Sequence, residues 1–306
     1  MANKIIRRLE QLDENEDVNG CDIDWESIRD MAKLMFLVYE YVEGWGTASI
    51  TNMLQSLEAN NSDDVDESEL ELLRGLQIKY PQAEVLQYLT NSAGLQCVVG
   101  KNPSKKHITV VFRGTDSFWD CLYDLFIVKR SLGKGVRVHR GFYNQLFHDG
   151  VYEKLKTLLT TQLADNPGWD VYITGHSLGA SLSTLSGFLL AQAFPTIQFQ
   201  VVAFASPKCG NAAFKAAFHA LTNLHQYRIC YALDCMTALP TIWYNHVGDN
   251  LWYDKVTKTW HYFAKEVTNN YYLHKYYNAY DHLGHNYLTA VTNDEKRIVK
   301  FHLPKD

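Results

Sequence analysis

Residues 169–187, Trp-Asp-Val-Tyr-Ile-Thr-Gly-His-Ser-Leu-Gly-Ala-Ser-Leu-Ser-Thr-Leu-Ser-Gly, constrain the fold more than any other stretch of the chain. Val171, Tyr172 and Ile173 are β-favouring and largely apolar, the pattern of a buried strand. Gly175-His176-Ser177-Leu178-Gly179 follows at once, and residues 178–193, rich in Leu, Ala and Ser, read as a helix. A serine between such a strand and such a helix sits on a sharp, strained turn. The glycines two residues to either side let the two backbones approach without Cβ clashes. A helix that starts at the serine also aims N–H groups and a positive dipole end at whatever reacts there.

The remaining elements extend this unit into alternating layers. Asp24 is placed to cap a helix predicted over 25–43, whose Ile28, Met31, Leu34, Met35, Val38 and Tyr39 share one face. Shorter helices are predicted over 47–58 and 69–76, separated by an acidic, Asn-rich tract at 59–66. These first eighty residues carry no chemical motif and are expected to be a helical N-terminal extension. Strands are predicted over 84–90, 95–100 and 108–112, the last β-branched and continuous before Arg113-Gly114-Thr115-Asp116. A short strand at 136–139 precedes an amphipathic helix over 143–163. After the elbow come a strand at 199–205, a helix at 211–222 and a strand at 226–232 that leads to Asp234. Strands alternating with helices specify a largely parallel sheet with helices on both faces. No internal repeat or interdomain linker interrupts the chain, so one α/β domain over 1–306 is expected.

Composition narrows the class of partner. A hydrophobic content of 46% with 21% charged residues permits a large core, and the 19 Tyr, 14 Phe and 7 Trp read as core filling and amphipathic surface. A net charge of −5 argues against an obligate nucleic-acid partner and against electrostatic docking on anionic membranes. Cys21, Cys97, Cys121, Cys209, Cys230 and Cys235 form no C-x-x-C, and no His pair has metal-ligand spacing. Reduced thiols and no metal or organic cofactor are the expectation. The first residues lack the apolar run of a signal peptide, and no stretch approaches 18 consecutive apolar residues. A cytoplasmic protein without a transmembrane segment is expected, or a secreted one if a leader has been removed.

Serine is a poor nucleophile unless a base takes its proton. Asp234 directly follows the apolar run Ile229-Cys230-Tyr231-Ala232, where an acid could orient such a base, although an Asp there could equally cap a turn. Of the histidines that follow, His282 and His285 share Asp281-His282-Leu283-Gly284-His285-Asn286-Tyr287-Leu288 at the start of a final helix. Composition leaves that pair open.

Seven blocks, in order, resemble the class 3 (fungal-type) triacylglycerol lipases of the α/β-hydrolase superfamily. They are Val110-Val111-Phe112-Arg113-Gly114-Thr115, Val138-His139-Arg140-Gly141-Phe142, Gly175-His176-Ser177-Leu178-Gly179-Ala180, Phe204-Ala205-Ser206-Pro207-Lys208-Cys209-Gly210-Asn211, Asp234 to Leu239-Pro240, Tyr244-Asn245-His246-Val247-Gly248, and the closing Asp-His-x-x-x-Asn-Tyr-Leu. The resemblance spans about 84–290 and implies an α/β-hydrolase fold with a mostly parallel central sheet, helices on both faces and a lid helix. It implies Ser177 as nucleophile, Asp234 as acid and His282 as base, with His285 the alternative. Backbone N–H groups of Thr115 and Leu178 would form the oxyanion hole. Arg113, His139, His176 and His246 read as structural.

In that family the segment after Arg-Gly-Thr is a lid over the acyl groove. Its counterpart is 116–126, where Phe118, Cys121, Leu122, Leu125 and Phe126 would fall on one helical face beside Trp119. The chain departs from the secreted fungal lipases in carrying Cys121 where they commonly have tryptophan. The function implied is hydrolysis of glycerolipid acyl esters through an acyl-enzyme, with transient contact at a lipid surface. A short-chain or aromatic esterase and a catalytically silent lipase-like scaffold are the alternatives.

Overall fold

Among the described residues, nine strands join edge to edge in one sheet. The computed structural model describes residues 23–39, 52, 54–55, 67–115, 128–240, 242–265, 278–293 and 297–301. In order across the sheet the strands are β1 (Glu84–Thr90), β2 (Gln96–Asn102), β3 (His107–Phe112), β6 (Asp170–His176), β7 (Phe199–Phe204), β8 (Leu224–Tyr231), β9 (Asp249–Asp254), β10 (Thr259–Phe263) and β11 (Arg297–Phe301). From β3 to β9 every pairing is parallel, while β1, β2 and β10 join antiparallel at the two sides. β4 (Lys129–Gly133) and β5 (Val136–His139) make a separate two-stranded ribbon.

Parallel strands need crossovers, and the crossovers cover the faces. One face is packed by α3 (Arg140–Phe147), α4 (Val151–Asp165), α5 (Leu178–Ala193) and α6 (Ala212–His219). Leu146, Leu155, Leu159, Leu182, Leu185 and Phe214 from these helices meet Ile108, Val110, Ile173 and Val201 of the sheet. The opposite face is closed by α1 (Trp25–Leu37) and α7 (Gly284–Thr292). Ile28, Met31 and Met35 of α1 and Tyr287, Ala290 and Val291 of α7 bury Val202, Phe204, Ile229 and Leu251. α2 (Glu67–Lys79) packs at the edge of α1 through Leu73, Leu76 and Tyr80. The architecture is α/β with a mostly parallel sheet and helices on both faces, as the alternating pattern predicts.

Three elements differ from the sequence expectation. The single helix predicted over 143–163 is two helices, because Asp149 and Gly150 adopt φ of 52° and 70° and break the helical path between them. The hairpin β9–β10 is absent from the sequence expectation over 249–263, where aromatic and charged residues mask the strand alternation. Within the described residues α1 ends at Leu37, with Val38 as its C-cap, short of the predicted 43. Most of the predicted helix at 47–58, the acidic tract and the lid segment with Phe118, Trp119, Leu122, Leu125 and Phe126 lie outside the described residues. Cys97, Cys209, Cys230 and Cys235 carry free thiols.

Candidate active site

Ser177 stands between β6 and α5 with φ 57° and ψ −121°, a conformation that costs an L-residue free energy and persists only where neighbours enforce it. The enforcement is visible. Ser177 N–H donates to the Phe204 carbonyl at 3.0 Å, and Ala180 and Ser181 N–H groups donate back to the Ser177 carbonyl at 3.1 and 3.2 Å. The turn is so tight that a Cβ on Gly175 would lie 2.5 Å from the Gly179 carbonyl carbon and 2.7 Å from the Phe112 oxygen. A side chain on Gly179 would meet the Phe112 oxygen as well. Both glycines are therefore demanded by close approach of α5 to the end of β3.

The same end of β3 carries Gly114 and Thr115. A Cβ on Gly114 would come within 2.6 Å of the His176 carbonyl oxygen, so this segment is laid directly against the elbow. Arg113 anchors it by donating to Gln96 Oε1 at 2.8 Å, and its guanidinium lies 5.4 Å from the Tyr39 ring centre. Leu178 begins α5, where its N–H belongs to the unsatisfied first turn.

Asp234 follows β8 by way of Ala232, whose φ of 44° swings the chain out of the sheet. Ala232 is held there by its N–H to Tyr253 O at 2.8 Å and by Trp252 Nε1, which donates to its carbonyl at 2.8 Å. The Asp234 carboxylate is buried. It accepts from Met236 N–H at 2.9 Å, from the Tyr287 hydroxyl at 2.5 Å, and faces His282 Nδ1 at 2.9 and 3.1 Å. His282 ends a short 3-10 turn, and its Nε2 lies 2.8 Å from Ser177 Oγ. Serine, histidine and aspartate, separated by 105 and 48 positions, form one continuous hydrogen-bonded chain. Ser177 is only 2% exposed. Such a chain lets imidazole take the hydroxyl proton while a carboxylate fixes its tautomer and stabilises its charged form.

His285, by contrast, lies exposed on α7. His176 is buried with its ring 4.6 Å from that of His282, and its Nδ1 is 3.4 Å from the Tyr39 hydroxyl. Burial, then the neighbouring His282, push its pKa well below the ordinary histidine value. His139 accepts from Phe142 N–H at 3.4 Å as the N-cap of α3, and the Nε2–H of His246 donates to the Thr237 carbonyl at 2.6 Å.

Two groups essential to this geometry escape sequence reasoning. Tyr287 ties Asp234 to α7, and its hydroxyl also accepts from Tyr231 N–H at 3.2 Å. Burial, then the Asp234 charge, raise its pKa well above the usual tyrosine value, so it remains a donor. Asp281, next to His282, is buried against Lys255 Nζ at 2.6 Å and accepts from Leu233 N–H at 3.1 Å and Asn278 Nδ2 at 3.2 Å. It thereby staples the segment bearing His282 to the segment bearing Asp234. The only signal in the sequence was their place inside the Asp-His-x-x-x-Asn-Tyr-Leu block. Among the described residues no group of His, Cys, Asp or Glu side chains is arranged to hold a metal.

Residues 109–244 match a family described as Lipase (class 3). The chain is 26% identical over 226 residues to a secreted mono- and diacylglycerol lipase A of Penicillium cyclopium, covering 72% of this chain and 68% of that one. It is 30% identical over 187 residues to a phospholipase A1-II 3 of Oryza sativa subsp. indica, covering 51% of this chain and 44% of that one. In three dimensions it superposes on lipase II from Rhizopus niveus with a TM-score of 0.62 at 20% identity, covering 85% and 92% of the two chains. That last likeness establishes a common fold.

Proposed function

We propose that this chain, a member of the class 3 lipase family, is a serine carboxylester hydrolase acting on the acyl esters of glycerolipids. The observation that carries the reading is the buried chain from Ser177 Oγ through His282 to Asp234, at 2.8 and 2.9 Å, mounted on a strained turn. Ser177 attacks the ester carbonyl as His282 takes its proton. The tetrahedral oxyanion is received by the backbone N–H groups of Leu178 and Thr115, with the Thr115 hydroxyl as a third donor. Removing one such donor typically costs on the order of 10²–10³ in rate. His282 then protonates the departing alcohol, Asp234 holding the imidazole in position. Water, deprotonated by His282, releases the acyl group from Ser177.

A glycerolipid substrate is supported by the relatives' names, which cover mono- and diacylglycerol lipase and phospholipase A1. It is also supported by the surface around the site. Tyr280 and Leu283, on either side of His282 in the chain, are exposed. Lys129 Nζ lies 5.3 Å from the Trp243 ring centre, which brings the chain just after the lid segment to that aromatic residue. Phe118, Trp119, Leu122, Leu125 and Phe126 belong to the proposed lid.

The test is an activity profile across acyl-chain length and headgroup, with Ser177→Ala as blank and fluorophosphonate labelling as a count of reactive serines. Hydrolysis of long-chain glycerolipids, with label on Ser177, is expected. Turnover limited to short or aromatic esters would make the protein an esterase, and an unlabelled wild type would make it a scaffold.

A further inference from the structure

The strand that delivers Asp234 also carries a buried cation with no counter-charge among the described residues. Side chains two apart on a strand share a face, so Leu224, Gln226 and Arg228 of β8 point together toward the face packed by α5. Arg228 is 2% exposed, and its Nε and Nη2 have no hydrogen-bond partner; Nη1 donates to the weak acceptor Cys230 Sγ at 3.6 Å. Directly opposite in β9, Asn250 is 0% exposed, and neither its Oδ1 nor its Nδ2 is paired. Gln226 Oε1 is unpaired too.

A second buried cation faces the same region. Lys208 donates from Nζ to the Ala238 carbonyl at 2.9 Å. Burial, then the Arg228 charge, lower its pKa to about 8. Burial, followed by Arg228 and Lys208, holds His246 neutral. The buried acids among the described residues are engaged elsewhere. Asp30 pairs with Lys79, Asp234 with His282 and Tyr287, Asp249 with His225, and Asp281 with Lys255. A guanidinium is never neutral in a protein, and an ion removed from water without a partner is strongly destabilising. Buried water could satisfy the idle N–H groups but would leave the charge uncompensated.

We propose that this cluster binds one small inorganic anion of chloride size, held by Nε and Nη2 of Arg228 and the amide N–H of Asn250, with Lys208 supplying the second positive charge. Occupancy braces the segment after Asp234, because Lys208 and His246 are bonded to the carbonyls of Ala238 and Thr237.

The test compares thermal unfolding of the full chain in sodium gluconate and sodium chloride at equal ionic strength, with crystals grown in bromide for anomalous scattering. The wild type is expected to gain a few degrees in Tm, saturating with chloride, and to show a bromide peak between Arg228 and Asn250. Asn250→Asp places a carboxylate opposite Arg228; it should be the more stable protein in gluconate and indifferent to chloride. Equal Tm of the wild type in the two salts, or a bromide map empty at Arg228, overturns the proposal. So does an Asn250→Asp protein with the wild-type chloride response. Should that variant fail to fold, the wild-type halide response and the bromide map decide.

Discussion

Two demands meet in the hydroxyl of Tyr287, which donates to Asp234 and accepts from Tyr231 N–H. Tyr287→Phe removes both bonds but keeps the ring that fills the core between His176 and Phe204. If the proposed mechanism holds, kcat should fall about tenfold with KM unchanged, and denaturant unfolding should show a loss of about 1–2 kcal/mol. Ser177→Ala should reduce hydrolysis by about 10⁶-fold while leaving far-UV circular dichroism unchanged. His282→Ala should be nearly as severe and His285→Ala close to silent; the reverse order in steady-state assays would make His285 the base. Ser177 was legible because its strand–turn–helix pattern has few alternatives, whereas the position of Asp234 after a strand fitted a turn cap equally well and its role rested on the family resemblance. The choice between His282 and His285 rested on a family resemblance, since three positions apart in one polar segment they look alike. Only burial and a 2.8 Å contact with Ser177 separate them in space. Tyr287 had no legible partner, because a contact across 53 positions leaves no local periodicity.

Among elements, the strand–turn–helix unit is the most rigidly specified. Gly175→Ala would drive a methyl into backbone atoms of Gly179 and Phe112, which cannot give way as a flexible side chain would. A loss of about 3 kcal/mol or more is expected in guanidinium titrations, with loss of activity as the elbow and β3 part. This element was readable because its requirement is local: apolar strand, small residues, helix. The break at Asp149-Gly150 was harder to see, since the apolar face of 143–163 runs on through it and only two left-handed residues divide α3 from α4. β9 and β10 were harder still. Tyr253 and Trp260 are buried while their neighbours Trp252 and His261, on the other face, are half-buried aromatic rings, so the sequence shows large rings on both faces and no polar–apolar alternation.

For the molecule as a whole, burial of neutral histidines should shape its response to acid. His107, buried against Tyr172 with ring centres 4.5 Å apart, has its pKa lowered to about 4 from 6.5, chiefly by loss of solvent. As pH falls below 6.5 the unfolded chain binds this proton and the folded one does not, so stability declines until the folded group titrates near 4. Each such group adds a slope of up to about 1.4 kcal/mol per pH unit. His176 and His246 act in the same direction. His107→Phe should keep the stacking and flatten the stability–pH curve between 6.5 and 4, measured by denaturant unfolding at each pH. Alternation of strands and helices made the layered architecture legible. It could not reveal that α1 would land beside α7, because an apolar helix face states that it must be covered and not by what.

That pairing of an early helix with a late one has a consequence for biosynthesis. Val202, Phe204 and Ile229 emerge from the ribosome long before α7, so the apolar face they share is covered by α1 alone until residues 284–292 are made. The proposed base, His282, lies just ahead of that helix. Until then a nascent chain holds the serine turn and the acid loop with that face half covered and the base absent, and docking of α7 supplies both. A chain cut before residue 279 would leave that apolar face half covered and, on the proposed mechanism, would lack the base.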